Sequence, residues 1–440
     1  MKGLGSRAVG VGLAIGILVV TAVMIGAVPA AGAPPIRFAS EQLFSDGNDW
    51  EPNVATDPNS TYVYMATTGM DAKECRQCPE PSILIRVSPD SGASWGPPQF
   101  ICGIDCRSNN IAGPWQADPI IRVANDGTVY IAWLDNWNPG MALSKSSDHG
   151  ATWTRPVNAG SSGSGWGDKP WLAISPDGES VYIAWNHGDP YVAASHDAGA
   201  TFGKPVRLTP STNSLFYYPE SGVVAADGTA FFSMSVETAK GTGPVDLVLV
   251  KSTDGGATWT ILPVEYSEES PGCVVPVCIT DEFQAQIVMD MDSSGTIMVA
   301  YAKNTQADAP KTLFARTSSD GGASWSEPIL VNDAGDSGFP VITHGPAPGD
   351  FRVAWQDNRN GPTAWNTFFR RTTDAGAHWS TEVKLSDLGS GAPYKSASGY
   401  VFPYGDYFGI AADSRGVNFV IWGEGTGRGS GGGCWFTIGG

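Results

Sequence analysis

The sequence predicts an all-β fold, a seven-bladed β-propeller of four-stranded antiparallel blades in which an N-terminal strand completes the last blade. Three observations lead to this fold class. Short apolar runs are separated by turn residues throughout, with 55 Gly and 32 Pro among 440 residues, which is typical of all-β proteins. One octapeptide recurs six times, and seven pairs of adjacent strands can be counted independently of it.

The first 33 residues have the features of a targeting segment. Lys2 and Arg7 precede an apolar run from Val9 to Val28, and small residues follow up to Ala33. This order predicts a secretory signal over residues 1–33 and one propeller domain over residues 34–440. Because the apolar run is nearly long enough to span a bilayer, an uncleaved N-terminal anchor is the alternative. We therefore expect a secreted or cell-surface protein.

The predicted domain is strongly acidic. Residues 34–440 contain 24 Lys and Arg against 44 Asp and Glu, a net charge of −20, because both basic residues of the first 33 are lost with the signal. A charge of this sign repels nucleic acid, which we exclude as a partner. We expect the domain to be monomeric.

The repeated octapeptide has Ser or Thr first, Asp third, Gly fifth and an aromatic residue last. Its six copies are SPDSGASW (88–95), SSDHGATW (146–153), SHDAGATF (195–202), STDGGATW (252–259), SSDGGASW (318–325) and TTDAGAHW (372–379). A short Asp side chain can accept hydrogen bonds from the backbone of its own turn, and Gly tolerates a positive φ. Each copy is therefore predicted to be a stabilised hairpin turn whose Asp is structural rather than catalytic.

The octapeptide matches the Asp-box, or BNR repeat, and over nearly all of residues 36–440 the chain resembles the Asp-box propellers of the sialidase superfamily. In those proteins a Tyr paired with Glu, an Asp and three arginines act on the sugar, and one arginine lies in an Arg-Ile-Pro motif. Here Ile36-Arg37-Phe38 lacks the proline, and seven blades are counted against six in known sialidases. The resemblance therefore implies the fold and assigns no catalytic residue.

The strand pairs account for the whole length of the predicted domain. First and second strands alternate with turn residues at 51–66, 118–133, 169–185, 220–234, 283–301, 339–355 and 406–422. The count of seven pairs agrees with six octapeptides if the last blade is built from both ends of the chain. Residues 434–439 would then form its third strand and residues 36–45 its fourth. No turn would connect these two strands, so the seventh octapeptide is not needed. Such closure removes a free sheet edge. An open six-bladed fold with a stray extension is the alternative.

Carboxylates stand at or just before the first strands, which should line the central channel. They are Glu51, Asp118, Asp168, Glu220, Asp281, Glu282 and Asp406. Carboxylates brought close together either share protons or bind a cation. We expect calcium to bind through some of Asp118, Asp168, Asp281 and Asp406, and a hydrated acidic rim is the alternative.

Aromatic and polar residues are concentrated in the loops after second strands and between blades, which should share one face of the ring. The candidates for substrate binding are Trp137, His187, Asp357, Arg359, Tyr404 and Asp406. Aromatic faces beside carboxylates and amides suit sugars, although the same aromatic residues could pack between blades.

Two candidate functions follow from these residues. The favoured one is a non-catalytic module that recognises a glycan or a cell-surface protein, and the alternative is a glycoside hydrolase, exo-sialidase-like, that uses carboxylates of this face.

Seven cysteines complete the set of candidate residues. Cys75, Cys78, Cys102 and Cys106 should be neighbours and, in an exported protein, form two disulfides. A tetrahedral zinc site is the alternative for these four. Another disulfide is expected to close the loop between Cys273 and Cys278. The cysteine left over, Cys434, is expected to be a buried thiol.

Overall fold

The computed structural model describes residues 35–45, 49–69, 75, 78–101, 116–135, 140–160, 167–187, 189–209, 216–239, 242–271, 277–278, 284–361, 364–387, 395–396, 399–400, 405–424 and 433–440. One compact unit spans Ile36–Gly440. The predicted signal lies outside the described residues. No described segment forms a helix with the length and apolar character needed to cross a bilayer.

Seven four-stranded antiparallel sheets, the blades, make up the ring. The first three blades follow one another along the chain. Blade 1 contains β2 (Trp50–Thr56), β3 (Val63–Gly69), β4 (Ser82–Ser88) and β5 (Gln99–Phe100). Blade 2 contains β6 (Gln116–Val123), β7 (Val129–Asp135), β8 (Gly140–Ser146) and β9 (Val157–Gly160). Blade 3 contains β10 (Asp168–Ile174), β11 (Val181–His187), β12 (Asp189–Ser195) and β13 (Val206–Arg207).

The next three blades repeat the same order. Blade 4 contains β14 (Phe216–Val224), β15 (Ala230–Ala239), β16 (Thr242–Ser252) and β17 (Thr260–Ser267). Blade 5 contains β19 (Gln286–Met291), β20 (Ile297–Asn304), β21 (Lys311–Ser318) and β22 (Ile329–Asn332). Blade 6 contains β23 (Ser337–His344), β24 (Phe351–Asp357), β25 (Asn366–Thr372) and β26 (Val383–Lys384).

Blade 7 combines both ends of the chain. It contains β29 (Gly409–Ala412), β30 (Asn418–Glu424), β31 (Gly433–Gly439) and, as its outer strand, β1 (Gln42–Ser45). A separate small sheet joins two blade-to-blade connections through β18 (Val277–Cys278), β27 (Lys395–Ser396) and β28 (Gly399–Tyr400). The sequence did not indicate this small sheet.

The first strands line a central channel and close it into a ring. Each contacts the next in the order β2, β6, β10, β14, β19, β23 and β29, and β29 contacts β2 again. Gly409 of β29 shows how tightly the ring closes, because a Cβ there would lie 2.8 Å from the backbone nitrogen of Val54 on β2. We call the end of the ring where second strands lead into third strands the top face, and the opposite end the bottom face.

The N-terminal strand closes blade 7 as the sequence predicts. Leu43 and Ser45 of β1 pair with Trp435 and Cys434 of β31. Further along, the Ala39 N–H donates to the Ile438 carbonyl at 2.9 Å. This pairing confirms the seven-bladed closed ring and excludes the open six-bladed alternative.

All six octapeptides form turns between the third and fourth strands of a blade, on the bottom face. In each, the Ser or Thr hydroxyl donates to the Asp carboxylate at 2.7–2.9 Å and accepts the Gly N–H at 2.7–2.9 Å. The Asp also accepts the N–H four residues on at 2.7–2.9 Å. These hydrogen bonds stabilise the ionised carboxylate and lower the pKa of Asp148 to about 2. The Asp residues are thus engaged inside their own turns.

Candidate functional site

Each blade brings one residue to the top end of the channel, and we call these seven residues the top ring. They are Glu51, Asp118, Lys169, Glu220, Gln286, Phe339 and Asp406. Four of them directly precede a proline and have a positive φ, namely Glu51 (54°), Asp118 (60°), Lys169 (53°) and Phe339 (50°). The strand register shifts at the same four places. Backbone strain repeated at equivalent positions marks a built feature of the fold, and the Xaa-Pro pairs in the sequence are the signal that could have found it.

Glu51 and Asp118 form a carboxyl pair in the top ring. Both are buried, with 1% and 5% of their surface exposed. Burial, followed by the Asp118 charge, raises the pKa of Glu51 well above its usual range. Burial also raises the pKa of Asp118, against the hydrogen bond from Glu51. The pair therefore holds a proton on Glu51, which donates to the Asp118 carboxylate.

Lys169 and Asp406 form an ion pair across the top ring, and both side chains are about nine-tenths buried. The Lys169 charge partly opposes the rise in the pKa of Glu51 and of Asp118. One ammonium group thus offsets several carboxylates at the channel mouth. The sequence analysis singled out Asp406 and missed Lys169, which replaces the acidic residue found at this position in blades 1 and 2.

Glu220 and Gln286 use their side chains to join neighbouring blades. Glu220 accepts hydrogen bonds from the Ser235 hydroxyl at 2.8 Å and from the backbone N–H of Ile287 in blade 5. Gln286 accepts the backbone N–H of Phe339 in blade 6 at 2.8 Å. Burial raises the pKa of Glu220 to about 8. These two side chains hold the ring together rather than face a ligand.

Tyr407 lies beside the carboxyl pair. Its hydroxyl donates to the Pro119 carbonyl at 3.3 Å, and its ring packs against Trp171 with centroids 5.5 Å apart. Burial, and then the charges of Glu51 and Asp118, raise the pKa of the phenol well above its usual range. The hydroxyl is therefore held neutral, whereas a nucleophile must be activated by a base or a lowered pKa.

The space left at the top ring is small. A cavity of about 30 Å³ is lined by Lys169, Trp171, Tyr218, Glu220, Asp406 and Tyr407, among others. This volume holds one or two water molecules. A sugar therefore does not fit into this small cavity.

Two of the four predicted calcium ligands, Asp118 and Asp406, belong to the top ring. Asp118 is paired with Glu51, Asp406 with Lys169, and the Asp168 carboxylate accepts the Lys169 N–H at 3.0 Å. Asp281 lies outside the described residues. Among those described, no three His, Cys, Asp or Glu side chains have the geometry to hold a metal ion. Calcium binding stays a prediction.

A repeated Trp-Xaa-acid motif explains several polar residues that follow second strands. Trp133, Trp355 and Trp422 are completely buried. Side chains two apart point to the same face of a strand, and each indole N–H donates to the acid two residues on. The acceptors are Asp135 at 3.4 Å, Asp357 at 2.9 Å and Glu424 at 2.7 Å. The spacing is visible in the sequence, although Asp357 was predicted to lie in a loop of the top face.

Asp357 and Arg359, two substrate-binding candidates, bind each other. The Arg359 Nε donates to Asp357 at 2.8 Å, and Nη1 donates to Glu382 at 2.7 Å. The guanidinium also lies 3.9 Å from the centre of the Phe368 ring. Both residues also bond Asn332 of blade 5, since Arg359 Nη2 donates to Asn332 Oδ1 at 3.0 Å and Asn332 Nδ2 donates to Asp357 at 3.4 Å. Ligand binding by this pair stays a prediction.

The remaining candidates are placed as follows. His187 is half-buried at the end of β11 and pairs in register with Asp189, whose carboxylate binds Arg207. Trp137 and Tyr404 lie outside the described residues. Their substrate-binding roles stay predictions, as does that of Asp406.

The structure contains one disulfide among the described residues, between Cys75 and Cys78. Cys434 is a free, buried thiol, and burial raises its pKa well above the usual range. Cys102, Cys106 and Cys273 lie outside the described residues, as does the Cys278 side chain, so the further pairings stay predictions.

No protein-family model and no curated protein matches the sequence. Solved structures with this fold do match. A protein of unknown function from Dyadobacter fermentans aligns over 92% of this chain and 99% of its own, with a TM-score of 0.52 and 13% identity. A Hadza microbial sialidase aligns over 81% and 73%, with a TM-score of 0.49 and 14% identity. An ulvan lyase from a new polysaccharide lyase family aligns over 90% and 95%, with a TM-score of 0.48 and 14% identity. At 13% identity, the first of these supports the propeller fold and nothing finer.

Proposed function

We propose that the chain is an exported Asp-box propeller of the sialidase-superfamily type that recognises an uncharged glycan at its top face without cleaving it. The observation that carries this proposal is the internal pairing of the top ring. Glu51 is bonded to Asp118, Lys169 to Asp406, and Glu220 to the backbone of the next blade. Each of these carboxyl groups has a partner within the ring, although the buried Glu51 Oε2 and Asp406 Oδ1 accept no hydrogen bond from a described residue.

The distance between catalytic carboxyl groups argues against hydrolysis by the Glu51–Asp118 pair. Glycosidases hold their two carboxyl groups about 5–5.5 Å or about 6.5–9.5 Å apart, with the scissile bond between them. Because Glu51 and Asp118 share a hydrogen bond, no sugar fits between them. The Tyr407 hydroxyl donates a hydrogen bond to the Pro119 carbonyl, and its raised pKa argues against a role as a nucleophile.

The charged side chains of the top face determine which class of sugar it can bind. Arginine side chains suit a carboxylated sugar, because they bind carboxylates through two parallel hydrogen bonds. Among the described residues the top ring has no arginine, and Arg359 is bound by Asp357 and Glu382. The Asp118 carboxylate of the ring repels a sugar carboxylate, and Lys169 is already paired with Asp406. Hydroxyl groups and the C–H faces of a neutral sugar suit acidic and aromatic surroundings.

Export is supported by the Cys75–Cys78 disulfide, since disulfides persist in oxidising compartments. The order of residues in the first 33 positions supports the same conclusion. A surface location brings the top face into contact with the glycans of the cell envelope or its surroundings.

The test is a glycan array probed with residues 34–440, run beside a screen of fluorogenic glycosides. We expect retention on a class of neutral glycans and no turnover of any glycoside. The matched variants are Glu51→Gln in the top ring and Asp126→Asn in a bottom-face turn. Turnover that is lost in Glu51→Gln but kept in Asp126→Asn would establish a hydrolase instead. Failure to retain any glycan would also refute the proposal.

A further inference from the structure

A second cavity, larger than the one at the top ring, extends from Glu220 towards the bottom end of the channel. It has a volume of about 1090 Å³. The later residues of all seven first strands line it, together with the turns that follow them on the bottom face. Ligand pockets typically measure about 300–1,000 Å³, so this space accepts a small molecule or the end of a chain.

Arg122 brings a cation into this cavity from blade 2. Its Nη1 donates to the Asn53 side chain at 3.3 Å and to the Ile121 carbonyl at 2.8 Å. No carboxylate of the described residues lies within 4 Å of its guanidinium. Burial lowers the pKa of Arg122, and the charge of Asp290 opposes this shift. Arg122 is thus a confined guanidinium whose Nε and Nη2 have no described acceptor.

Arg122 has no ion pair among the described residues, whereas several other arginines do. Ion pairs with Asp or Glu hold six of them, namely Arg207, Arg316, Arg352, Arg359, Arg371 and Arg415. The chain has 44 acidic residues against 26 basic ones, so carboxylates are plentiful. A confined charge without a counterion costs free energy, which an anionic ligand can offset.

An Asp–His pair in blades 5 and 6 adds a second donor to the same cavity. The Asp290 carboxylate contacts His344 Nδ1 at 2.9 Å and accepts the His344 backbone N–H at 2.7 Å. This contact leaves Nε2 as the ring nitrogen available to a ligand, and 47% of the side chain is exposed. The Asp290 charge is the main reason that the pKa of His344 is raised.

The other carboxylates that line the cavity are engaged locally. Asp227 accepts the Thr229 N–H at 2.9 Å, and Asp292 accepts the Gly349 N–H at 2.7 Å. Asp413 binds Arg415. Lys251 also lines the cavity, and its ammonium group donates to the Gly321 carbonyl at 3.3 Å and lies 5.4 Å from the centre of the Phe231 ring. Arg122 and the imidazole of His344 are the cationic donors on which the site is argued.

We propose that the bottom end of the channel is a binding site for a ligand that bears an oxyanion, held by the guanidinium of Arg122 and by Nε2 of His344. A guanidinium presents parallel N–H donors that match the oxygens of a carboxylate or phosphate. The protonated imidazole donates from Nε2 while Asp290 holds Nδ1. This site is separate from the proposed glycan site, which lies beyond the top ring.

The test measures binding by isothermal titration calorimetry with residues 34–440. The probes are inorganic phosphate and D-glucuronate, and D-glucose is the uncharged control. We expect phosphate or glucuronate to bind and glucose not to bind. Arg122→Gln should weaken binding about tenfold or more, as expected for a lost charge-assisted hydrogen bond. Arg155→Gln, which removes an exposed arginine elsewhere, should leave the affinity unchanged.

Two further measurements keep the test independent of folding defects. His344→Gln changes an exposed side chain and should also weaken binding of the same probe. In the wild type, affinity should fall as the pH rises through the folded pKa of His344, whose surroundings include Asp290, Asp292, Arg352 and Arg122. Binding of phosphate alone or glucuronate alone would support the site and fix the class of oxyanion. Equal affinity in Arg122→Gln and Arg155→Gln, or no binding of either anion, would overturn the proposal.

Discussion

Replacing Phe44 with Ala should destabilise the protein through the strand that closes the ring. Phe44 lies on β1, 3% exposed, with its ring 6.1 Å from that of Trp95 and 6.5 Å from that of Phe436. The Arg86 guanidinium lies 5.8 Å from its centre. Truncating a buried Phe costs about 3–5 kcal/mol, because the lost burial and the remaining cavity add. With an unfolding entropy of about 2.1 cal/mol/K per residue, a ring of this size should lose about 4–6 °C in Tm.

Leu43 provides the matched control on the same strand. Its side chain is 45% exposed, so Leu43→Ala should change stability by less than about 1 kcal/mol. Differential scanning calorimetry of the two variants beside the wild type measures the difference. Equal Tm values for Phe44→Ala and the wild type, or equal losses in both variants, would refute the idea that β1 is an integral part of blade 7. Deleting residues 34–46 removes the whole strand and should lower Tm further.

Four other outcomes are expected. Ser146→Ala should cost about 1–2 kcal/mol in urea denaturation, because the buried hydroxyl joins Gly150 to the turn Asp; an unchanged midpoint would contradict this role. Because the pKa of Glu220 is raised to about 8, the folded state favours the protonated acid, and the free energy of unfolding should fall as the pH rises towards 8. Glu220→Gln should reduce this pH dependence, and identical pH profiles for the variant and the wild type would contradict the expectation. Non-reducing peptide mass spectrometry should recover Cys75 joined to Cys78, and Cys434 should react with a thiol reagent only after unfolding; labelling of Cys434 in the native protein would be the contrary result. Millimolar calcium should raise Tm if the predicted cation site exists, whereas a melting curve equal to that with chelator would rule it out.

The fold could be predicted because its signals are local and repeated. Each octapeptide encodes a turn through its own hydrogen bonds, such as that from the Ser146 hydroxyl to Asp148 at 2.8 Å, and needs no distant partner. The count of strand pairs then fixed the number of blades. The closing strand was predicted because the sequence has seven strand pairs but only six octapeptide turns. In the structure β1 pairs with β31, as this count requires.

The candidate site was harder to predict because its contacts join distant parts of the sequence. Lys169 and Asp406 come from blades 3 and 7, and no pattern within either segment indicates that they meet. Asp357 was predicted to be a loop residue, but it is the last residue of a strand and accepts a hydrogen bond from the indole N–H of the Trp two positions before it. Arg122 lies inside an ordinary strand, and only the ring brings it towards Asp290. The number of acidic residues near the first strands indicated an acidic channel. Which of these side chains pair with one another depends on how the blades are arranged in three dimensions.

The shared blade also has a kinetic consequence. The Thr437 hydroxyl donates to the Ala39 carbonyl across 398 sequence positions, so this contact has a very high contact order. Six blades can each assemble from neighbouring hairpins as the polypeptide is synthesised or translocated. The seventh must wait until residues from both ends are present together, and joining them costs roughly 5 kcal/mol in chain entropy before any pairing repays it. Completion of blade 7 is therefore expected to be the slow, final step of folding, and an interrupted chain would expose the edges of β31 and β1 to other molecules.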